Sequence, residues 1–160
     1  MKYFAILTVL LRIVTLVGVG YLYMTANVVV EATGVSAVPT ASQPELFDSL
    51  ATQMRLGAVI GTPFIAAQEL SAPENYQFYT YTVRLRNNCA APADMVELQV
   101  APMAGDVLQI GSFSDVKLPA GQTVDVSATI LTSANMHPIR EVVVTYYVWG
   151  VPFSVKTTIN

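Results

Sequence analysis

One thiol and one imidazole are the residues of this chain most suited to covalent chemistry. Cys89 is the single cysteine and His137 the single histidine in 160 residues. Nucleophilic catalysis needs a base beside its nucleophile, so these two form the one dyad that the composition offers. Their spacing carries no motif, and His137 falls in the loop Ser133-Ala134-Asn135-Met136-His137-Pro138, where it is expected to face solvent. A nucleophile elbow needs G-x-S-x-G, whereas the chain has Gly111-Ser112-Phe113-Ser114. Asp94, Asp106, Asp115 and Asp125 are scattered, and no D-x-D-x-D-G loop occurs. Calcium in a loop shared by two of these acids is the one metal arrangement left open. A two-carboxylate glycosidase needs only a pair of acids, but a small domain without a deep insertion is a poor host. Glycine-rich phosphate loops are absent. The expectation is no enzyme, no catalytic residues, no metal and no cofactor.

A contact surface is the sharper candidate. Tyr147 and Trp149 alternate along one run beside Pro152, and exposed contiguous aromatics usually mark contact sites for a glycan ring or a partner protein. The competing expectation is that a helix over Pro44–Leu56 covers them, or that Trp149 folds over the end of the domain.

What positions these residues begins with the first thirty. Lys2 and Arg12 are the only charges from Met1 to Val30, and every Asp and Glu lies beyond. About 20 apolar residues cross the hydrocarbon core as a helix. Arg12 costs about 2.5–3.5 kcal/mol at a helix centre, and the twelve large apolar residues between Phe4 and Leu22, at roughly 0.3–0.6 kcal/mol each, outweigh it. Arg12 can also snorkel toward headgroups, and Tyr21 and Tyr23 lie where interfacial aromatics are favoured. No Lys or Arg occurs between Arg12 and Arg55, so the positive-inside bias puts the N-terminus in the cytoplasm and the remainder outside. A cleaved signal peptide is the main alternative, with Gly18-Val19-Gly20 as its early small-x-small site, although the run is long for one. A buried helix of a soluble protein is the other.

From Glu31 onward six cations face eleven acids, a net charge of −5. Such a body argues against nucleic acid and against anionic headgroups as partners. A lone cysteine makes no intrachain disulfide, though it could link two chains. No Asn-x-Ser/Thr sequon is present.

Three segments follow: an anchor over 1–26, an extended linker with a helix over 27–57, and a strand-rich domain over 58–160. Ser42 and Glu45 have capping-box spacing, Pro44 suits a first turn, Gly57 suits a stop, and Leu46, Leu50 and Met54 with Phe47 give an apolar stripe. Strand runs are expected over Ala58–Thr62 with Pro63–Ala67, then Tyr76–Arg86, Met95–Val100, Val107–Ser112, Gln122–Leu131, Arg140–Trp149 and Val151–Ile159. Within them Tyr79, Tyr81, Val83 and Leu85 share one face, as do Val124, Val126, Ala128 and Ile130. This is the period of a sheet with one dry side. Seven short strands at this spacing predict an antiparallel sandwich. Gly150-Val151 as the centre of a type II′ turn would pair Val148 with Phe153, Tyr146 with Val155 and Val144 with Thr157, all inward.

The succession Tyr81-Thr82-Val83-Arg84-Leu85-Arg86-Asn87-Asn88, Val96-Glu97-Leu98-Gln99-Val100 and Leu118-Pro119-Ala120-Gly121-Gln122-Thr123-Val124, closed by a hairpin, resembles bacterial immunoglobulin-like domains of the cell-adhesion (CARDB-like) type. The resemblance covers roughly residues 58–160 and rests on structural motifs: a V-x-N strand end, an L-x-x-G turn and a Tyr-rich late strand. It implies a mainly β, immunoglobulin-like sandwich used for adhesion, spacing or assembly, and carries over no catalytic residues. The expectation is a single-pass membrane protein, N-terminus inside and C-terminal domain outside, acting as a structural or interaction module of a bacterial envelope. A protein or glycan of that envelope would be its partner. A carbohydrate-binding domain using Trp149 and Tyr147, or a pilus- or archaellum-like subunit, are the alternatives. The latter lacks its usual glycine-led processing signature.

Overall fold

The computed structural model describes residues 2–66, 68–111 and 116–160. Met1, the expected strand ends at Ala67 and Ser112, the Ser112-Phe113-Ser114 stretch, Asp115 and the side chains of Lys2 and Leu22 lie outside the described residues.

The N-terminal helix α1 runs Lys2–Thr25. It is long and apolar enough to cross a membrane: Tyr3–Thr25 carries a mean hydropathy of 2.1 in its most apolar window, and none of that window is buried within the chain. Twenty-three residues at 1.5 Å each span about 35 Å, against a hydrocarbon core of about 30 Å. Its three threonines need no outside partner. Thr8, Thr15 and Thr25 donate their hydroxyls back to the carbonyls of Phe4, Leu11 and Tyr21, each at 2.9 Å, the i−4 bond open to a threonine within a helix.

Two residues later the chain enters the body. Among the described residues there are nine strands, β1 (Val28–Pro39), β2 (Thr62–Pro63), β3 (Tyr76–Asn87), β4 (Ala93–Val100), β5 (Asp106–Ile110), β6 (Val116–Leu118), β7 (Thr123–Ser133), β8 (Arg140–Val148) and β9 (Val151–Ile159). They form two antiparallel sheets, ordered β1-β3-β7-β5-β2 and β6-β4-β8-β9. The alternation read in the sequence is the packing. Tyr79, Tyr81, Val83 and Leu85 of β3 oppose Ile130, Ala128, Val126 and Val124 of β7 in register. They face Val96, Leu98, Val142, Val144 and Tyr146 of the second sheet in one core. Residues such as Val83 and Leu98 are wholly excluded from solvent, each worth about 1.5–3 kcal/mol in burial. The outward face of β3 and β7 is a polar ladder instead. Thr80 meets Thr129 and Thr82 meets Ser127 at 2.8 Å, and Arg84 grips Asp125 with two bonds of 2.7 and 2.8 Å.

The segment 26–42, expected to be an extended or strand-like exit from the membrane, contains β1, registered on β3 from Val28–Asn87 to Pro39–Gln77 with one bulge at Glu31. The sheet therefore begins at Val28. Of the described residues 58–66, Thr62 and Pro63 form a short strand against Gln109 and Leu108, and the Phe64 N–H donates to the Val107 carbonyl at 2.9 Å.

The second helix, α2 (Pro44–Leu56), lies over the outer face of the five-stranded sheet. Phe47, Leu50 and Met54 are buried there with Phe78, Val107, Leu108 and Leu131, whereas Leu46 is partly exposed. The capping box does not form. Ser42 donates to the Pro39 carbonyl at 2.7 Å and the N-cap is Gln43, without a side-chain bond. The C-terminal stop at Gly57 does form, as a Schellman end. Gly57 is left-handed (φ 67°) and donates to the Met54 carbonyl, while Ala58 donates to that of Gln53.

Candidate functional site

Cys89 and His137 do not meet. Tyr79 donates its phenol to the Met136 carbonyl at 2.7 Å, one residue before His137, whereas Cys89 follows the far end of β3 at Asn87. Roughly 25 Å of strand lies between. His137 is exposed. Cys89 is buried, and its Sγ accepts the Asn27 N–H at 3.0 Å. This thiol helps to hold the exit of α1 against the body. Three of the four scattered aspartates are engaged in separate ion pairs, Asp125 with Arg84, Asp106 with Arg140, and Asp94 with Lys117 at 3.9 Å. Among the described residues no three metal-ligating side chains gather.

The end of the sandwich beside α1 is organised by Asn87, which is fully buried. Its amide donates to the carbonyls of Ala91 and Leu118, both at 2.9 Å, and its Oδ1 accepts the Cys89 N–H at 2.8 Å. One side chain thereby satisfies three backbone groups of a tight loop. Replacing it with alanine strands them without water. Asn87→Ala should lower the unfolding free energy by about 3 kcal/mol, from the desolvation cost of unsatisfied buried groups. Urea denaturation measures this, and Asn88→Ala serves as the exposed neighbour.

The hairpin carrying the aromatic candidates differs from expectation in its turn. Trp149 and Gly150 both have positive φ (52° and 76°), and Val148 pairs with Val151, so the turn is type I′ centred on Trp149-Gly150. The register is Tyr146 with Phe153, Val144 with Val155 and Val142 with Thr157, two residues from the expected one. A shift of two preserves the faces: Val142, Val144, Tyr146 and Val148 are buried as anticipated. The consequence falls on Trp149. It occupies the tip of the turn, 62% exposed, in a conformation that costs a bulky L-residue on the order of 1–2 kcal/mol. Pro152, expected opposite Trp149, instead lies directly opposite Tyr147 on the outward face, Tyr147 half-buried and Pro152 exposed. The α2 helix packs on the other sheet.

The tip stands against α1. Val19, Tyr23 and Ala26 on one side and Val148, Trp149, Val151 and Phe153 on the other enclose a mostly apolar cleft of about 210 Å³. The Tyr23 and Phe153 rings are 5.3 Å apart, and Phe153 stacks on Tyr146 at 5.7 Å. Behind them the Tyr146 hydroxyl accepts the Val28 N–H at 3.4 Å; burial raises this phenol's pKa above the ordinary tyrosine value.

A buried charge cluster at the opposite end was not anticipated as a unit. The Arg140 and Asp106 side chains are almost wholly buried and joined by bonds of 2.7 and 3.0 Å. The guanidinium also donates to the carbonyls of His137 and Ile139 at 2.7 and 2.8 Å, and Asp106 accepts the Met103 N–H at 2.8 Å. Burial alone would push the Asp106 carboxyl up. The bonds from Arg140, Met103 and Thr132 outweigh it and hold the group below the usual carboxylate range. The Asp106 hydrogen bond raises the pKa of Arg140. Nearby, burial pushes the Tyr81 phenol to about 12, and its hydroxyl donates to the Pro138 carbonyl at 2.7 Å. One signal was present: Arg140 has the same parity as inward-facing Val142, Val144 and Tyr146.

What the described residues offer outward is thus a hairpin tip beside an apolar helix and a polar sheet face, with Cys89 and His137 apart. In comparisons with known proteins, the chain matches no family model and no curated protein.

Proposed function

We propose that this chain is a single-pass membrane protein that displays an immunoglobulin-like β-sandwich outside the cytoplasm, as a non-enzymatic structural or interaction module of a bacterial envelope. The observation that carries this reading is the contrast between the two halves. The sandwich closes its core without α1, and α1 leaves its whole apolar window unburied. In water that surface would have no compensation; in hydrocarbon it needs none. Lys2 ahead of the span and Arg12 in its N-terminal half, with no further Lys or Arg before Arg55, support a cytoplasmic N-terminus. Strand order supports the immunoglobulin-like reading. The series β1-β3-β7-β5 facing β4-β8-β9 corresponds to the constant-type arrangement of four strands against three, with β2 and β6 as short additions at the edges. The inter-sheet disulfide of antibody domains has no counterpart, because Cys89 is the single cysteine. The partner would be an envelope protein or glycan that meets the exposed body.

The test is topology followed by neighbour identification. In intact cells, protease added from outside should degrade the body and leave the N-terminal segment protected. Alkaline carbonate should not extract the chain, and crosslinking in native membranes should capture a defined neighbour. Recovery of the intact chain in the soluble fraction overturns the reading. Recovery of α1 packed against copies of itself in a filament would point to the assembly-subunit alternative. Binding to a glycan array that disappears with Trp149→Ala would identify the carbohydrate-binding one.

A further inference from the structure

The relation between the β8–β9 tip and α1 has a consequence for where the body sits. Trp149 and Val151 line the cleft together with Val19 and Tyr23. Val19 lies six residues before the end of α1 at Thr25, about 9 Å back along its axis. The tip therefore reaches past the end of the helix and lies alongside its last turns. The helix has little length to spare. Filling a hydrocarbon core of about 30 Å from Tyr3 takes the helix to about Leu22, so Val19–Tyr23 mark the outer boundary of the bilayer. The exit is short and fastened. Only Ala26 and Asn27 separate α1 from β1, and Asn27 is bonded through its N–H to Cys89 and through its carbonyl to the Asn88 N–H at 3.0 Å. The body is held at that depth.

The side chains at the tip match such a location. Trp149 and Val151 are 62% and 42% exposed, and the cleft behind them is apolar. Tyr21 and Tyr23 sit at the same level on α1. Aromatic rings with one polar edge are favoured where acyl chains meet headgroups. A type I′ turn ordinarily takes Asn or Asp where this chain has Trp149, so the turn itself does not call for this side chain.

We propose that the Trp149-Gly150 tip is a membrane-docking element, with Trp149 and Val151 seated in the headgroup–acyl boundary of the outer leaflet and a phospholipid acyl chain filling the cleft between α1 and the hairpin. The occupant is uncharged in its contacting part, which suits a body with a net charge of −5 from Glu31 onward. This inference rests on α1 spanning the bilayer.

Trp149 is the single tryptophan, so emission excited at the red edge, where the eight tyrosines do not absorb, reports on it alone. In phosphatidylcholine vesicles its emission should be blue-shifted, quenched by phosphatidylcholine brominated near the headgroup end of its acyl chains, and shielded from aqueous iodide. Val151→Asp should shift emission to the red and raise iodide quenching several-fold while the chain stays in the vesicles. Free access of iodide to Trp149, without quenching by brominated lipid, in a chain that resists carbonate extraction would overturn the docking and leave the span intact. Loss of the chain in the carbonate wash would overturn both.

Discussion

Arg140→Leu should destabilise the body by about 3–5 kcal/mol, the range for breaking a buried ion pair from one side. The loss comes less from the missing attraction than from Asp106, which stays nine-tenths or more buried with its charge unmatched. Two further observations separate this cause from simple loss of packing. The double variant Arg140→Leu with Asp106→Leu should recover much of the loss, because a buried pair replaced by apolar groups is often neutral. The pH dependence should also reverse. In the native chain Asp106 is held below its ordinary range, so its contribution is present above about pH 4 and disappears as pH falls through the depressed value. Without Arg140 the same carboxyl is raised by burial, and stability should instead fall as pH rises through and above that region. Urea denaturation of the full chain in mild detergent, across pH 3–7 in roughly unit steps spanning the carboxylate range, measures both. An unchanged midpoint in Arg140→Leu would mean that the pair contributes nothing to the fold.

Phe47→Ala should cost about 3–5 kcal/mol, the usual loss for a large aromatic truncated in a core, and should release α2 from the sheet. Phe47 is 3% exposed, packs 5.7 Å from the Tyr76 ring, and clusters with Phe78, Leu108 and Leu131 across three strands. A 13-residue helix is marginal alone in water, so α2 depends on this contact to exist. Hydrogen exchange should show its amides losing protection together with global destabilisation. Leu46→Ala, on the partly exposed side of the same turn, should stay within about 0.5 kcal/mol of the native chain. Equal effects at the two positions would contradict the packing described.

These two expectations also mark what could be read from the chain before its structure. The faces of β3, β7 and β8 were legible because side-chain direction alternates strictly with position. This local rule survived even the misplaced turn, since a slip of two leaves parity unchanged. The turn itself was misjudged because Trp149 at positive φ contradicts the usual preference, which made Gly150 look like the first central residue. The capping box failed for a local reason as well: Ser42 closes back onto the Pro39 carbonyl and is spent before the helix begins. The strand-like character of β1 was legible but its place in the sheet was not, because its partners lie 38 to 59 residues away, from Pro39–Gln77 to Val28–Asn87, and one bulge at Glu31 interrupts its alternation. The Arg140–Asp106 pair joins strands of different sheets across 34 positions, and no window of local sequence contains both. At the candidate site the shared outward face of Tyr147 and Pro152 was legible, but their pairing was not: the expected register set Trp149 opposite Pro152, whereas Tyr147 stands there. The position of Trp149 beside α1 depended on the three-dimensional path of the exit through Asn27 and could not be seen in the hairpin alone.

The direct passage from α1 into β1 also sets how this body would bear a mechanical load. Strand β1 leaves the helix and runs lengthwise along β3 to Pro39, with its ladder bonds perpendicular to the strand. A tug between the bilayer and the far end of the sandwich would load those bonds together in shear, instead of unzipping them one at a time. The edge strand would then act as a lap joint that holds the sheet closed under tension.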